Sequence, residues 1–177
     1  LTREQLRKAI KSSMFLKEKF DASGNFEKLK ARLVAGGHQQ DRDIYENLSS
    51  PTVTHETVMI VIAIAAAQGR LICTVDITGA YLECEMPEGE VIMMLDPLLT
   101  RLLNEIDPSV TGMQDEKGRT YVKLNKALYG CVQSAKLWYE KLRDTLEADG
   151  FSQNPYDQCL FNKGEGDEQI TVAFHVD

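Results

Sequence analysis

An apolar run, RLICTVDI at 70–77, restricts the choice of fold more than any other stretch of the sequence. Apolar residues occupy both of its alternating faces, which is typical of a strand that is covered on both sides. We therefore expect a central strand that ends at Asp76 and lies in a sheet with helices packed against it. The polypeptide closes on a second run of this kind, ITVAFHVD, whose last residue is Asp177.

Helical and strand patterns together predict an α+β fold. The segment VMIVIAIAAA at 58–67 is apolar nearly all round, so we expect a buried helix that is capped by Thr54 or Thr57 and ends at Gly69. A second helix is predicted at 134–150, where apolar residues form one stripe. A weak amphipathic helix is expected at the start of the chain, and short strands are predicted in RTYVKLN and in FSQNPYDQCLFNK.

A β-hairpin is predicted near the amino terminus, because MFLKEKF and FEKLKARLVAGG flank the turn sequence DASGN. Lys28, Lys30 and Arg32 recur at every second residue, so their side chains project from one face. Lys17 and Lys19 are candidates for the same face. This pattern fits a basic binding surface, and it also fits a charged edge strand that discourages aggregation.

The formal charge is unevenly distributed along the chain. Residues 1–40 hold nine Lys or Arg and four acids, whereas residues 41–177 hold eleven and twenty-three, and the net charge is −7. Two solvated faces of opposite sign explain such a division, and a nucleic-acid site in the basic part is the alternative.

Composition places further limits on the class of protein. A chain of 177 residues with 43% apolar content suits one globular unit. Its longest apolar run is about half the ~20 residues that span a bilayer, and the four cysteines lack CxxC spacing, so we expect reduced thiols in an intracellular setting. Since the first residue is Leu, we interpret the chain as a piece of a longer protein.

The two strand-end acids gain meaning when they are considered together. Either one alone is most often a turn or cap residue. If the two strands are neighbours, the carboxylates of Asp76 and Asp177 approach within ~4 Å, and at an effective dielectric of ~20 they repel by about 4 kcal/mol. Such a pair needs a cation or a shared proton, and Mg²⁺ prefers these oxygen ligands. Two such ions promote phosphoryl transfer, although spacing alone does not establish that the acids meet.

A set of motifs connects the sequence to a known family. In order, the motifs are KARLVAGG, LSSPTV, VDITGAYLECEMPEGEVIM, LNKALYGCVQSAKLWYEKL, GFSQNPYDQCLF and VAFHVD. The set resembles the reverse transcriptase of copia-type LTR retrotransposons, over nearly the whole chain from about residue 14. It implies a right-hand polymerase, with an antiparallel sheet and helices on one face. Fingers would occupy about 14–70 and mixed palm and fingers about 71–177, with thumb, connection and RNase H regions absent.

The resemblance assigns catalytic roles to the two acids. Asp76, in VDITGAYL, matches the first catalytic aspartate. Asp177 matches the first of the paired aspartates in the hairpin motif usually written YVDD. Together they are expected to hold two Mg²⁺ ions. His175 occupies the aromatic position of that motif, where packing against the substrate is favoured over metal ligation.

Substrate contacts are implied by the same resemblance. Tyr81 matches the bulky gate against the ribose 2′-hydroxyl, and its alternative is a core aromatic. Gln133 matches the glutamine that lines the nucleotide pocket, and its alternative is an exposed turn amide. Lys30 and Arg32 match the finger cations that hold the triphosphate. A glycine pair at 36–37 stands where the family commonly carries a further Arg.

The sequence thus predicts a fragment of an RNA-directed DNA polymerase that adds dNTPs to a primer by two-metal phosphoryl transfer and is inactive as truncated. The expected partners are an RNA or DNA template-primer, dNTPs and the remainder of a Pol polyprotein (thumb, RNase H, integrase), with no membrane, in a cytoplasmic virus-like particle. One alternative is a non-catalytic, nucleic-acid-binding relic of a retroelement. Another is an unrelated α+β domain in which Asp76 and Asp177 cap separate strands.

Overall fold

The structure, a computed structural model, describes residues 1–41, 45, 48–87 and 91–176. The helices are α1 (Arg3–Lys8), α2 (His55–Ala67), α3 (Pro97–Ile106) and α4 (Ser134–Ala148). The strands are β1 (Ile10–Phe20), β2 (Phe26–Ala35), β3 (Ile92–Leu95), β4 (Thr120–Lys123), β5 (Ser152–Gln153), β6 (Leu160–Lys163) and β7 (Ile170–Ala173). This mixture of sheets and helices is consistent with the predicted class.

The chain divides into two compact units. Unit 1 comprises Leu1–Glu46 and Glu85–Ser134, and unit 2 comprises Asn47–Cys84 and Ala135–Asp177. The assignment of fingers and palm to 14–70 and 71–177 stays a prediction.

Unit 1 is built on the predicted β1–β2 hairpin, which is confirmed. The two strands pair antiparallel from Ser12↔Ala35 to Lys19↔Lys28. Asp21 closes the turn, because its carboxylate accepts the backbone N–H groups of Ser23 and Asn25 at 2.8 and 2.9 Å. This arrangement is an Asx turn, in which a short acid supplies acceptors for the N–H groups that the bend leaves unpaired.

The sheet of unit 1 has the order β2-β1-β3-β4, and one of its pairs departs from the prediction. β1 and β3 run parallel, with Ile10 opposite Met93, so the expectation of an entirely antiparallel sheet is wrong here. The strand begins earlier than the hairpin pattern indicated, because both of these apolar side chains are 2% exposed and form the core of the unit. The amino-terminal helix is correspondingly short.

Unit 2 combines α4 with the antiparallel sheet β5-β6-β7. The side chains of Cys159 and Phe161 are fully buried, and the ring of Phe161 stacks on that of Phe174 at 5.8 Å between centroids. Tyr139 of α4 approaches Phe174 at 6.0 Å, and Trp138 is also buried. The predicted stripe of α4 therefore faces the core of this unit.

The ends of α2 follow the prediction. Thr54 is the N-cap, and its side chain accepts the backbone N–H of Thr57 at 3.1 Å. The carboxylate of Asp157 adds a second anchor, since it accepts the N–H groups of Thr54 and Cys159 at 3.1 and 2.9 Å. Gly69, at a φ of +64°, follows the last turn. A carboxylate at a helix amino terminus is favoured by the backbone dipoles.

The predicted burial of α2 is wrong. Ala65 is its buried residue, whereas Met59, Ile60, Ile62 and Ile64 are 43–59% exposed. An apolar surface all round predicts a tendency to be covered, but two small units have limited interior with which to cover it. Among the helices that the structure describes, including this one, none is both long and apolar enough to cross a membrane.

The predicted central strand at 70–77 is also wrong in this structure. The segment has no assigned secondary structure, and Leu71 and Val75 are 102% and 82% exposed. An apolar extended run becomes a strand where a neighbour supplies hydrogen-bond partners. Within the described residues, no strand pairs with this segment.

Candidate functional site

Asp76 lies in the exposed segment that precedes a tight turn. Its carboxylate is exposed to solvent, and Gly79, at a φ of +72°, begins the 3₁₀ turn Ala80–Glu83. Tyr81 lies in that turn and is 6% exposed. Glycine adopts this left-handed conformation without the steric cost that other residues incur, so the turn follows from the local sequence. The roles of Asp76 and Tyr81 stay predictions.

Asp177 lies outside the described residues, so the structure gives no separation between the two predicted catalytic acids. β7 ends at Ala173; beyond it His175 is exposed and Val176 is buried. Among the described residues, no group of three or more His, Cys, Asp or Glu side chains could hold a metal ion. The donor chemistry still fits Mg²⁺, because an exposed carboxylate leaves room for the water and phosphate ligands that this ion retains.

The hairpin presents the predicted basic face. The register pairs Lys17 with Lys30 and Lys19 with Lys28, and it places Arg32 opposite Phe15. Directly opposite residues share one face of an antiparallel pair, so these cations project from the same side. We call this set, Lys17, Lys19, Lys28, Lys30 and Arg32, the basic face.

The pairs Lys17–Lys30 and Lys19–Lys28 set like charges directly opposite each other, which destabilises the hairpin when no anion is present. Glu27 forms an ion pair with Lys28 at 2.9 Å, but the pair is exposed and contributes little. The opposite face of the ribbon is mostly apolar, with Leu16, Leu29 and the edge-to-face pair of Phe20 and Phe26 all more than half exposed, and it carries one acid, Glu18, opposite Leu29. The hairpin is therefore a two-sided ribbon, and its basic side is suited to a polyanion.

Arg32 is held at the base of this face by an aromatic ring. Its guanidinium carbon lies 5.0 Å from the centroid of the Tyr129 ring, within the range of a cation–π contact. Tyr129 is also tied to β2 through its backbone, since its carbonyl accepts the N–H of Ala35 at 2.7 Å. Tyr129 was not predicted as a site residue, because Tyr129 and Gly130 indicate a turn and carry no local signal of the strand that the turn approaches.

The turn and β2 meet at a point where two backbones nearly touch. A Cβ atom on Gly130 would lie 2.1 Å from the carbonyl oxygen of Ala35, and one on Gly37 would lie 1.9 Å from the carbonyl oxygen of Gly130. Both distances are far below van der Waals contact, so this junction requires glycine on both sides. The family commonly carries a basic residue where this chain has the glycine pair at 36–37. The close packing against Gly130 explains why the second of the two, Gly37, is glycine.

Gln133 is buried, at 4% exposed, so it is not the exposed turn amide of its alternative interpretation. Its side-chain oxygen accepts from Nε2 of Gln40 at 3.0 Å, and its Nε2 donates to the hydroxyl of Tyr45 at 3.2 Å and to Sδ of Met86 at 3.1 Å. A buried amide with partners at both ends holds one orientation. Its predicted contact with the nucleotide stays a prediction.

The predicted site residues therefore divide between the units. Unit 1 holds Lys30, Arg32 and Gln133, and the turn 127–133 links the last two, because Tyr129 in that turn contacts Arg32. Unit 2 holds Asp76 and Tyr81.

Comparison with known proteins decides the family. A family model described as "Reverse transcriptase (RNA-dependent DNA polymerase)" matches residues 2–177. The chain belongs to the reverse transcriptase family. The resemblance to copia-type elements is thereby confirmed, and the basic face and the Arg32–Tyr129 contact are features of a reverse transcriptase domain.

Individual relatives agree with this assignment. The chain is 30% identical over 162 residues to the "Retrovirus-related Pol polyprotein from transposon RE1" of Arabidopsis thaliana, which covers 90% of this chain and 10% of the relative. It is 30% identical over 150 residues to the "Transposon Ty1-DR4 Gag-Pol polyprotein" of Saccharomyces cerevisiae, covering 84% of this chain and 8% of the relative. This reverse transcriptase chain thus spans about a tenth of the length of the curated relatives that it matches. No solved structure matches it significantly.

Proposed function

We propose that the chain is part of an RNA-directed DNA polymerase that adds dNTPs to a primer by two-metal phosphoryl transfer. Asp76 and Asp177 hold the ions, and Tyr81 excludes ribonucleotides. The observation that carries the proposal is the basic face with Arg32 at its base, in a chain whose family is established. Template-primer, dNTPs and the remaining regions of a Pol polyprotein are its proposed partners, and a cytoplasmic virus-like particle is its proposed location.

The triphosphate seat is supported by the chemistry of Arg32. A guanidinium group that lies over a ring keeps its N–H edge available for two parallel hydrogen bonds to phosphate oxygens. Lys30 projects from the same face two residues away and adds a mobile point charge. Stacking on Tyr129 lowers the conformational freedom that Arg32 loses on binding.

The meeting of the two acids is supported by an anchor in unit 2. The Nη2 atom of Arg70 donates to Oε1 of Gln169 at 2.9 Å, which fixes the start of the 71–77 segment beside the loop that leads into β7. Asp76 and Asp177 follow this anchor by six and eight residues respectively. Extended chains of these lengths reach about 20 and 26 Å at ~3.3 Å per residue. If they run side by side, they bring the carboxylates to the same end.

Magnesium, when bound there, would stabilise charge on the attacking and leaving oxygens. The chain's own contribution is to supply carboxylate ligands from Asp76 and Asp177 and cations from Lys30 and Arg32. We expect the 177-residue chain by itself to extend no primer. Processive synthesis by residues 1–177 would contradict the catalytic assignment.

Binding of dTTP with Mg²⁺ to the 177-residue chain tests the triphosphate seat. We expect the substitution Arg32→Gln to weaken binding about tenfold or more, since it removes a charge-assisted pair of hydrogen bonds. Arg32→Lys should give an intermediate loss, because it keeps the charge without the fork. Arg101→Gln is the matched control, since Arg101 is exposed on α3 with Glu105 at 4.0 Å. Equal affinities for Arg32→Gln and Arg101→Gln would refute the seat.

A non-catalytic nucleic-acid-binding relic is the second candidate, and the exposed basic face favours it equally. The residue that follows Asp177 in the reading frame distinguishes the two. An acid there, followed by thumb and RNase H regions, supports the enzyme, and a stop codon or frameshift supports the relic.

A further inference from the structure

The turn at 127–133 is held to β2 at one end by contacts already described, and at its other end the side chain of Gln40 adds to the contacts that Gln133 makes with Tyr45 and Met86. Tyr129 and Gly130 form the first attachment, through the carbonyl of Tyr129 and the close approach to Gly37. The second attachment is made by Gln40, which contacts Val132 and Gln133. More than ninety residues of sequence separate Gln40 from both.

Both ends of the Gln40 amide are used. Its Oε1 accepts the backbone N–H of Val132 at 2.9 Å, and its Nε2 donates to Oε1 of Gln133 at 3.0 Å. Its own backbone N–H donates to the carbonyl of Gly37 at 3.0 Å, which closes the 3₁₀ turn Gly37–Gln39. The amide is therefore fixed relative to the end of β2 and to the turn at once.

The orientation of this amide determines that of its neighbour. The N–H of Val132 requires an acceptor, so the oxygen of Gln40 faces it and the NH₂ group faces Gln133. The oxygen of Gln133 is thereby engaged, and its NH₂ group points toward Met86 Sδ at 3.1 Å. Reversing either amide would place two donors or two acceptors against each other beside the buried Gln133, which costs more than the hydrogen bond itself.

We propose that Gln40 is a positioning residue of the nucleotide site: by clamping Val132 and Gln133, it holds the turn that carries Tyr129 under Arg32. This inference rests on the proposed function of Arg32 in binding the triphosphate. Loss of the clamp removes the bonds to Val132 and to the Gln133 oxygen and leaves the Gln133 contacts with Tyr45 and Met86. That end of the turn is loosened, so the Tyr129 ring no longer stays in register with the guanidinium. The cost then appears as weaker triphosphate binding, although Gln40 touches neither Arg32 nor the nucleotide.

The test compares Gln40→Met with Gln39→Met in the 177-residue chain. Methionine keeps the length of the side chain and removes the hydrogen bonds of the Gln40 amide, including one from its Nε2 to the hydroxyl of Tyr45 at 3.1 Å. Gln39 is the matched control, because its Oε1 also accepts a backbone N–H at 2.7 Å, but that N–H belongs to Lys11 of β1 and not to the turn. Both variants lose a side-chain to backbone bond in unit 1, so a general effect on stability appears in both.

The decisive readout is the NMR resonance of the Arg32 side-chain N–H groups, which the Tyr129 ring current shifts in the wild type. We expect Gln40→Met to move this resonance toward its value in a Tyr129→Leu reference, and to speed amide exchange at Val132 about tenfold or more. Gln39→Met should leave both unchanged.

Affinity for dTTP with Mg²⁺ gives the second readout, with about a tenfold loss expected for Gln40→Met. An Arg32 resonance that Gln40→Met leaves unmoved overturns the inference, whether or not nucleotide binds. A resonance that moves in a chain that binds no triphosphate supports the positioning role and counts against the proposed function instead. A shift with unchanged nucleotide affinity also overturns the inference, since the clamp would then not serve the site.

Discussion

Replacement of Gly130 by alanine should damage the junction between the turn and β2 far more than its solvent exposure indicates. The new Cβ would lie 2.1 Å from the carbonyl oxygen of Ala35 and 2.6 Å from a methyl carbon of Val34. The φ of +93° adds the strain that any side chain meets in left-handed backbone, about 1–2 kcal/mol. Relief of the overlap requires movement of β2 or of the turn, at about 1–3 kcal/mol.

The same movement separates the backbone N–H of Ala35 from the carbonyl of Tyr129, a 2.7 Å hydrogen bond worth about 1 kcal/mol. The total loss for Gly130→Ala is then about 3–6 kcal/mol, a large share of the stability of a small unit. Gly24→Ala is the matched control in the same unit. Gly24 has a φ of +83°, but no atom lies within 4 Å of its Cβ position, so it should lose only the backbone term of about 1–2 kcal/mol.

The free energy of unfolding of unit 1 is measured for both variants by urea unfolding, with hydrogen exchange in peptides from β3 and β4 as the probe. We expect Gly130→Ala to be less stable than Gly24→Ala by about 2–4 kcal/mol, the sum of the overlap and the lost bond. Equal losses for the two variants would refute the close approach of the turn to β2, and with it the attachment of Tyr129 to Arg32.

Three other predictions concern charge, acid and thiols. Burial raises the pKa of the Asp157 carboxyl, but hydrogen bonds from a threonine hydroxyl and two backbone N–H groups lower it by more, so its pKa lies below the ordinary value. The stabilisation from Asp157 is therefore complete above the unfolded pKa of about 3.9 and is lost as the pH falls through the folded pKa. Asp157→Asn should lower the urea midpoint at pH 7 and make that midpoint less dependent on pH in the acid range. Lys17→Gln should reduce the slope of log K against log salt for single-stranded nucleic acid by ~0.7, whereas Lys8→Gln, already paired with a glutamate at 3.0 Å, should not. An unchanged slope for Lys17→Gln would contradict the basic face. Burial raises the pKa of Cys159 to about 11, so iodoacetamide at pH 8 should label exposed Cys73 first, as read by mass spectrometry; equal rates would contradict the core of unit 2.

Local patterns predicted the elements whose partners lie nearby in the sequence. The hairpin follows from alternation around a short turn, so its register also fixes the face that carries Lys28, Lys30 and Arg32. The limits of α2 follow from its cap and its terminal glycine. The prediction of a strand at 70–77 was wrong, because apolar residues indicate that a segment can be buried but do not identify a strand that pairs with it.

The candidate site was less predictable, because its contacts join residues that are distant along the chain. Arg32 and Gln133 were identified from motifs, but the ring of Tyr129 and the amide of Gln40 were not. A glutamine in a polar loop and a tyrosine before a glycine carry no local signal of a buried partner. Such pairs become visible once the fold sets the close approach of Gly37 to Gly130.

The distance between the carboxyl groups of Asp76 and Asp177 tests whether these two acids form one catalytic centre. It should be measured in an experimental structure of the polymerase that contains this chain, bound to primer–template, Mg²⁺ and a dNTP. We expect both carboxylates to ligate one ion at ~2.1 Å, which places their oxygens within about 4 Å of each other. A separation of more than about 8 Å leaves no shared ion and would contradict the assignment of the two acids to one catalytic centre.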